Sequence, residues 1–118
     1  MLGDLSSVRD WSFAGDIMFG AWLMLQQDRA SDYILASGVG RTVEEFAEVA
    51  FAKVGLEASN HIRLDPTLRR TPEPTARVGD PSYARSRLGW RQSMTFDQLV
   101  HRMVDADLRA LSATARST

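Results

Sequence analysis

The sequence predicts a small α/β domain that is mostly helical and has two or three short strands. Its 118 residues are enough for one domain with a modest core. Four helix signals alternate along the chain with short β-prone runs. So few short strands cannot form a full doubly wound sheet, so we expect a subdomain that packs against something larger.

The first predicted helix covers residues 13–27. Apolar residues recur there at spacings of three and four in a wide stripe, so we expect much of its surface to be buried. Residues 7–11, just before it, form a short strand or an extended segment. Residues 32–37, after it, are β-prone and predict another short strand, which ends at a glycine.

The second predicted helix begins at a capping box. Thr42 and Glu45 are three residues apart, so the hydroxyl and the carboxylate can each satisfy a backbone N–H that has no partner within the helix. Gly55 ends this helix. Residues 61–65 form a further plausible strand. Residues 66–74 form a loop that contains proline and arginine and has no periodicity.

Two more helix starts follow in the carboxyl-terminal part. Asp80 and Pro81 place an aspartate cap before a proline at the first helical position. This predicts a short helix. Thr95 and Gln98 have capping-box spacing and begin the last helix, whose apolar residues lie on one face.

The composition is that of one ordinary globular domain. The net charge of −1 gives no reason to expect nucleic acid or an anionic membrane as a partner. The chain has no cysteine, no apolar run long enough to span a bilayer and no apolar leader, which favours a cytoplasmic protein. We expect one domain over residues 1–111 and a disordered tail over residues 112–118, which are small and polar.

Motifs of common catalytic and cofactor sites are missing from the sequence. It contains no Gly-x-Ser-x-Gly, no phosphate-cradling loop that ends in Gly-Lys-Ser/Thr and no His-Glu-x-x-His. The run Gly38-Val39-Gly40 lacks the third glycine of a dinucleotide fingerprint, because position 43 is valine, so these glycines are interpreted as turn residues. His61 and His101 lie far apart in sequence and are interpreted as structural. We expect no catalytic residue, metal site or cofactor site in this chain.

Two places have residue types that suit a nucleotide. Arg9 lies on an extended segment just before a helix, where a guanidinium and helix-end amides can hold an anion. Arg70 and Glu73 lie in the irregular loop, where arginine suits a phosphate and a carboxylate can accept from ribose hydroxyls. From spacing alone, a surface pair of Arg9 with Asp10 or Asp16, and a solvated charged loop, are the favoured interpretations.

A longer pattern adds to these features. In order along the chain come Leu2-Gly3-Asp4-Leu5, Arg9-Asp10-Trp11, Trp22-Leu23-Met24-Leu25-Gln26-Gln27, Asp32-Tyr33-Ile34-Leu35-Ala36-Ser37-Gly38, Gly79-Asp80-Pro81, Leu88-Gly89-Trp90 and Met103-Val104-Asp105-Ala106-Asp107-Leu108. This series resembles that of GDP-mannose 4,6-dehydratases, which are extended short-chain dehydrogenases. The resemblance is collinear and covers nearly the whole chain.

The resemblance implies the carboxyl-terminal, nucleotide-sugar-binding subdomain of such an enzyme, without the Rossmann half that holds NADP and the catalytic residues. It also implies that Arg9 and Arg70 contact the diphosphate of GDP-mannose or GDP and that Glu73 contacts the ribose. By the same resemblance, this chain alone is expected to be inactive in converting GDP-mannose to GDP-4-keto-6-deoxymannose. Asp4 stands where the family usually has asparagine, and the loop around Arg70 departs from the usual pattern.

Two alternatives stay open. The chain could be a non-catalytic interaction or oligomerisation module, which self-associates through an apolar surface that a Rossmann half would otherwise cover. It could also be one half of a split enzyme that a separate Rossmann chain completes.

Overall fold

The computed structural model describes residues 1–68 and 76–116. In these ranges the strands and α-helices follow in the order β1 (Val8–Asp10), α1 (Ala14–Leu25), β2 (Gly40–Thr42), α2 (Val43–Lys53), α3 (Ser82–Leu88) and α4 (Phe96–Arg116). Short 3-10 turns lie at Ala58–Asn60 and Pro66–Leu68, between α2 and α3.

The strands form a small sheet at the centre of the molecule. Among the described residues, β1 pairs with β2 in antiparallel register, with Arg9 opposite Arg41. On its other side, Arg9 forms a single parallel bridge with Arg77. A second isolated bridge joins Leu2 to Leu64. The expectation of an extended segment at residues 7–11 is therefore confirmed by β1.

The strands expected at residues 32–37 and 61–65 were wrong. Neither run forms a strand, and the partner of β1 is Gly40–Thr42 instead. Around the first run, the backbone N–H of Ser37 donates to the carboxylate of Asp10, so a side chain replaces a strand ladder. In the second run, Leu64 makes the isolated bridge and no extended pairing.

Local capping signals determine where three helices begin. The Thr42 hydroxyl accepts from the N–H of Glu45 at 3.0 Å, while the Glu45 carboxylate lies 3.7 Å from the Arg41 guanidinium. Thr95 and Gln98 form the complete capping box at the start of α4, with bonds of 3.0 and 3.2 Å.

At α3, Asp80 accepts from the N–H of Ser82 at 3.0 Å, so the helix begins one residue later than expected, with Pro81 just before it. The last helix runs to Arg116, so residues 112–116 of the expected tail are helical in the structure, and residues 117–118 lie outside the described ranges. The boundary at residue 111 stays a prediction.

The core is small and has two parts, one where α2 and α4 meet the sheet and one around Trp90, beside α1. Trp90 and Val100 are the largest fully buried side chains among the described residues. Trp11, at the end of β1, packs its ring on Phe46 of α2 at a centroid distance of 4.7 Å. Phe96 of α4 lies 6.1 Å from the Phe46 ring and completes this aromatic cluster. Aromatic pairs at these distances stabilise the junction of the sheet with the two helices.

The molecule is flat and open. Its radius of gyration is 17.5 Å, whereas a compact domain of this length has about 13.5 Å. Its accessible surface is 8813 Å², compared with roughly 6,400 Å² for a compact monomer of this mass. The expectation that α1 is buried on much of its surface was wrong for this chain. Of the described residues of α1, Asp16 and Gly20 are buried, and Trp22 keeps 54% of its surface exposed.

Candidate functional site

Three arginines stand in one row across the sheet. Arg9 is at the centre, opposite Arg41 on one side and bridged to Arg77 on the other. Residues directly opposite each other in a sheet project to the same face, and like charges in such positions repel. The backbone register therefore sets the three arginines on the same face of the sheet, with Arg9 in the middle.

The two arginines on either side of Arg9 come from different parts of the chain. Arg41 lies over the Phe96 ring, with its guanidinium carbon 5.4 Å from the ring centroid, and pairs with Glu45 one helical turn later. Arg77 lies two residues after residues 69–75, which the structure does not describe, and it reaches Arg9 through its own bridge. Arg9 itself is half-buried, and its guanidinium donates to the carbonyl of Val8 at 3.0 Å.

Asp10 holds the loops around this row together. Its carboxylate accepts from the backbone N–H groups of Ser37, Gly38 and Gly79 at 2.8, 3.0 and 3.3 Å. Gly38 has a φ of 80°, which places it in the left-handed region that favours glycine. The Asp10 side chain thus holds two segments in place, one at Ser37 and Gly38 and the other at Gly79.

The environment of Asp10 also sets its acidity. Burial raises the pKa of this carboxyl, but the hydrogen bonds from Ser37, Gly38 and Gly79 together outweigh burial and lower the pKa below its ordinary value of 3.8. The lowering follows because donors that stabilise the charged form favour it over the neutral one. Asp10 is therefore charged at neutral pH.

Asp16 has a comparable role at the start of α1. It is buried, with 7% of its surface exposed, and its carboxylate accepts from the N–H of Ser93 at 2.9 Å. Its carbonyl accepts from the indole nitrogen of Trp90 at 2.8 Å. An anion bound at the amino-terminal end of α1, as expected from the sequence, would therefore lie near the Asp16 carboxylate, which is in the first turn of this helix.

Of the three site residues predicted from the sequence, the structure describes Arg9. Arg9 lies in β1 at the centre of the arginine row. Arg70 and Glu73 lie outside the described residues. The carboxylates of Asp10 and Asp16, considered from the sequence as surface partners of Arg9, accept from backbone N–H groups.

Sequence reasoning missed three contributors to the site. Arg41 and Arg77 join Arg9 through strand register, which no local motif encodes. Arg85 of α3 donates to the carbonyl of Ser37 at 3.1 Å and to the side chain of Gln92 at 2.9 Å. It therefore also holds the segment at Ser37 that Asp10 binds. The Arg9-Asp10-Trp11 run was recognised in the sequence, but the run does not show that Asp10 binds three distant N–H groups.

The run Gly38-Val39-Gly40 does not have the geometry of a dinucleotide-binding loop. The N–H of Gly38, which a dinucleotide loop would offer to the pyrophosphate, donates to the negatively charged Asp10. A Cβ added to Gly40 would meet Val8 and Val78 side chains within 2.8 Å, so this glycine serves strand packing. The turn interpretation holds for Gly38, which lies at a bend, but was wrong for Gly40, which is the first residue of β2. Across the described ranges, no group of histidine, aspartate and glutamate side chains is placed to hold a metal ion.

Comparison with known proteins decides the family. The model of the GDP-mannose 4,6 dehydratase family matches residues 1–103. The chain belongs to the GDP-mannose 4,6-dehydratase family. The family resemblance inferred from the motifs is thereby confirmed.

Relatives within the GDP-mannose 4,6-dehydratase family are much longer than this chain. GDP-mannose 4,6 dehydratase 2 of Arabidopsis thaliana is 44% identical over 107 residues, which cover 91% of this chain and 29% of that protein. The GDP-mannose 4,6-dehydratase of Sinorhizobium fredii strain HH103 is 35% identical over 130 residues, covering 96% of this chain and 37% of that protein. The chain thus spans about a third of the length of these relatives.

Solved structures show the same fold. RMD from Pseudomonas aeruginosa, complexed with NADPH, superposes with a TM-score of 0.71 at 18% identity, over 88% of this chain and 33% of that one. UDP-glucose 4-epimerase from Bifidobacterium longum, in complex with NAD+ and UDP, gives 0.67 at 24% identity, over 81% and 28%. These likenesses confirm the expected fold, a partial α/β subdomain of the extended short-chain dehydrogenases. In the described part of this family member, no helix has the length and apolarity needed to cross a membrane.

Proposed function

We propose that this chain is the nucleotide-sugar-binding portion of a GDP-mannose 4,6-dehydratase and that it binds the GDP moiety of GDP-mannose. The observation that carries the proposal is the position of Arg9, which the family match includes and which the fold places between Arg41 and Arg77. A row of guanidinium groups suits a diphosphate, because each can form paired hydrogen bonds to an oxyanion. A cytoplasmic location stays part of the proposal.

The loop of residues 69–75 supplies the other two contacts in this proposal. Arg70 would contact the diphosphate together with Arg9, and Glu73 would accept from the ribose hydroxyls. Support comes from Arg77, which follows these residues in sequence by two positions and forms a bridge with Arg9. Nucleotide binding is also supported by the similar epimerase of Bifidobacterium longum, whose structure contains UDP.

The dehydration itself would need a cofactor-binding part beyond the residues of this chain. In the proposed whole enzyme, NADP takes a hydride from the mannose ring and returns it to the sugar's sixth carbon after loss of water. The N–H of Gly38, which a pyrophosphate would need in such a loop, already donates to the Asp10 carboxylate. We therefore propose that the chain alone binds nucleotide and does not catalyse the reaction.

A surface for that missing part lies on α1. The large apolar side chains on its outer face are exposed: Met18, Phe19, Trp22 and Leu25 keep 68%, 53%, 54% and 82% of their surface accessible. The rings of Phe19 and Trp22 stack at 5.9 Å, so they present one continuous apolar face. Exposed apolar faces of this kind mark contacts with other chains or domains. We propose that a cofactor-binding part packs here.

The same face supports a second candidate function, a non-catalytic interaction or oligomerisation module. In that case a second copy of the chain covers α1, and the nucleotide has no role. The surface excess described above, roughly 2,400 Å² over a compact monomer, is large enough for a stable interface of either kind.

Isothermal titration of the chain with GDP and with GDP-mannose tests the first function. We expect binding in the millimolar range or tighter, and an Arg9→Ala variant should weaken it about tenfold or more. Arg109→Ala is the matched control, because Arg109 is exposed on α4 and contacts the carbonyl of Asp105. A chain that is folded by circular dichroism but does not bind GDP at millimolar concentration would contradict the proposal.

Sedimentation velocity separates the two candidates. A monomer that binds GDP supports the nucleotide-binding portion. A dimer whose association is indifferent to GDP supports the interaction module. Adding a separately expressed cofactor-binding part of a relative tests the split-enzyme variant: recovered dehydratase activity would support it, and a mixture without activity or complex would exclude it.

A further inference from the structure

A second surface lies along α2, and neither Arg9, Arg41 nor Arg77 lines it. Two adjoining depressions of about 520 and 480 Å³ share Leu5, Glu44 and Leu64 in their walls, so they form one elongated groove. We name it the acidic groove. Along α2 it runs from Glu44 to Ala52, which is about 12 Å or two helical turns.

The walls of the acidic groove combine apolar and acidic side chains. The main apolar residues are Leu5, Leu56, Ile62 and Leu64, and the acidic residues are Asp4, Glu44, Glu48 and Glu57. Leu56 and Leu64 are 46% and 59% exposed. Among the described residues that line the two depressions, none is basic.

The ion pairs found along α2 use other residues. Glu45 pairs with Arg41, and Lys53 pairs with Asp105 of α4. Neither of these acidic partners lines the groove. The carboxylates of Glu44, Glu48 and Glu57 therefore add to one negative surface potential over an apolar floor, which attracts cations and repels phosphates.

The lining and the charge of the acidic groove indicate which kind of partner fits it. An apolar lining favours a partner with apolar side chains, and the carboxylates favour lysine or arginine beside them. An elongated groove two helical turns long fits the apolar face of a helix better than a small molecule. We propose that the acidic groove docks a basic amphipathic helix of another polypeptide segment, with its leucine-like side chains in the groove and its cations at Glu48 and Glu57.

The charge pattern separates this surface from the nucleotide site. GDP carries negative charge and would be repelled from the groove, whereas it would be attracted to the arginine row around Arg9. The arginine row therefore favours ligands with negative charge, and the acidic groove favours ligands with positive charge. Loss of one does not require loss of the other.

The test is fluorescence anisotropy with the whole chain and three labelled synthetic peptides. The first carries leucine and lysine in an amphipathic helical order, the second has the same composition in scrambled order, and the third has glutamate in place of lysine. We expect the first to bind, with an affinity that falls as salt increases, and the other two to bind about tenfold more weakly or not at all. Equal binding of the basic and the scrambled peptide would overturn the proposal.

Variants locate the binding to the groove. The double variant Glu48→Lys with Glu57→Lys should weaken the basic peptide about tenfold or more, because it replaces attraction by repulsion. Asp28→Lys with Asp107→Lys makes the same net charge change at two exposed positions outside the groove and should have little effect. Leu56→Gln should also weaken binding without a charge change. Equal losses in the groove and control double variants would overturn the assignment.

Two further readouts complete the test. GDP binding should be unchanged in the Glu48→Lys, Glu57→Lys variant, and circular dichroism should show that it is folded. If the variant does not fold, Leu56→Gln and the salt dependence of the peptide carry the test alone. A dimer of the chain that dissociates on groove charge reversal would assign the groove to a second copy, whose α4 carries Arg109 and exposed Leu111, and would overturn the proposed occupant.

Discussion

The indole nitrogen of Trp90 donates to the main-chain oxygen of Asp16 at 2.8 Å, in a part of the molecule where Trp90 is completely buried. The bond joins the first turn of α1 to the segment after α3, 74 residues later in the chain. The Asp16 carboxylate adds a second bond, from the N–H of Ser93. These two bonds tie the start of α1 to the segment between α3 and α4.

Removing the Trp90 hydrogen bond and removing its volume should have separable costs. Trp90→Phe keeps most of the buried ring but leaves the Asp16 carbonyl without this donor, so we expect a loss of about 1–2 kcal/mol in the free energy of unfolding. Trp90→Ala also creates a cavity and should cost about 3–5 kcal/mol. Urea denaturation measures both. Equal stability of the Phe variant and the wild type would show that the bond contributes nothing.

Asp10→Asn should destabilise the chain at neutral pH by about 1–3 kcal/mol, because an amide cannot accept from three backbone N–H groups with both of its polar atoms. The pKa of Asp10 in the folded state is lowered from 3.8, so the stabilisation it gives is fully present above 3.8 and is lost as pH falls through the lower folded pKa.

The difference in unfolding free energy between wild type and Asp10→Asn should therefore be constant from pH 7 to about pH 5 and shrink in more acidic buffer. Denaturation at a series of pH values measures it. Asp107→Asn, an exposed position on α4, is the control and should show no such profile. A difference that grows on acidification would contradict the assigned role of Asp10.

The start of α2 depends on one hydroxyl. Thr42→Ala removes the oxygen that accepts from the N–H of Glu45, and we expect a loss of about 1 kcal/mol in unfolding free energy. Thr42→Ser keeps the oxygen and should cost only a few tenths of a kcal/mol. Thermal denaturation of both variants checks the pair. Similar losses for Ala and Ser would mean that the methyl group of Thr42, and not its cap, matters.

The exposed face of α1 should govern association rather than stability. Trp22→Glu places a charge at a position that is 54% exposed, so the free energy of unfolding should change by less than about 0.5 kcal/mol. Any self-association of the chain should decrease, because the apolar face is interrupted. Sedimentation at several protein concentrations tests this. If the wild-type chain self-associates and the variant associates as strongly, α1 is not the face through which copies of the chain meet.

Local signals explain the parts of this protein that its sequence predicted. Thr42 and Thr95 begin helices because a hydroxyl bonds a backbone donor three residues later, which needs no distant partner. The extended segment around Arg9 and the family itself were also predicted, because the motif series is collinear with that of the dehydratases. The strand expected at residues 32–37 failed, because strand formation depends on which distant segment offers a partner.

By itself, the sequence determined the helix starts, the family and the presence of Arg9 on an extended segment. Only the tertiary structure decided that Arg41 and Arg77 flank Arg9, that Asp10 holds Ser37, Gly38 and Gly79, and that α1 is left open. The physical reason is the distance along the chain between the groups that interact. A helix cap is satisfied within one turn, whereas strand register, a carboxylate that gathers distant N–H groups and the cover of an apolar face depend on segments far apart in the chain or outside it.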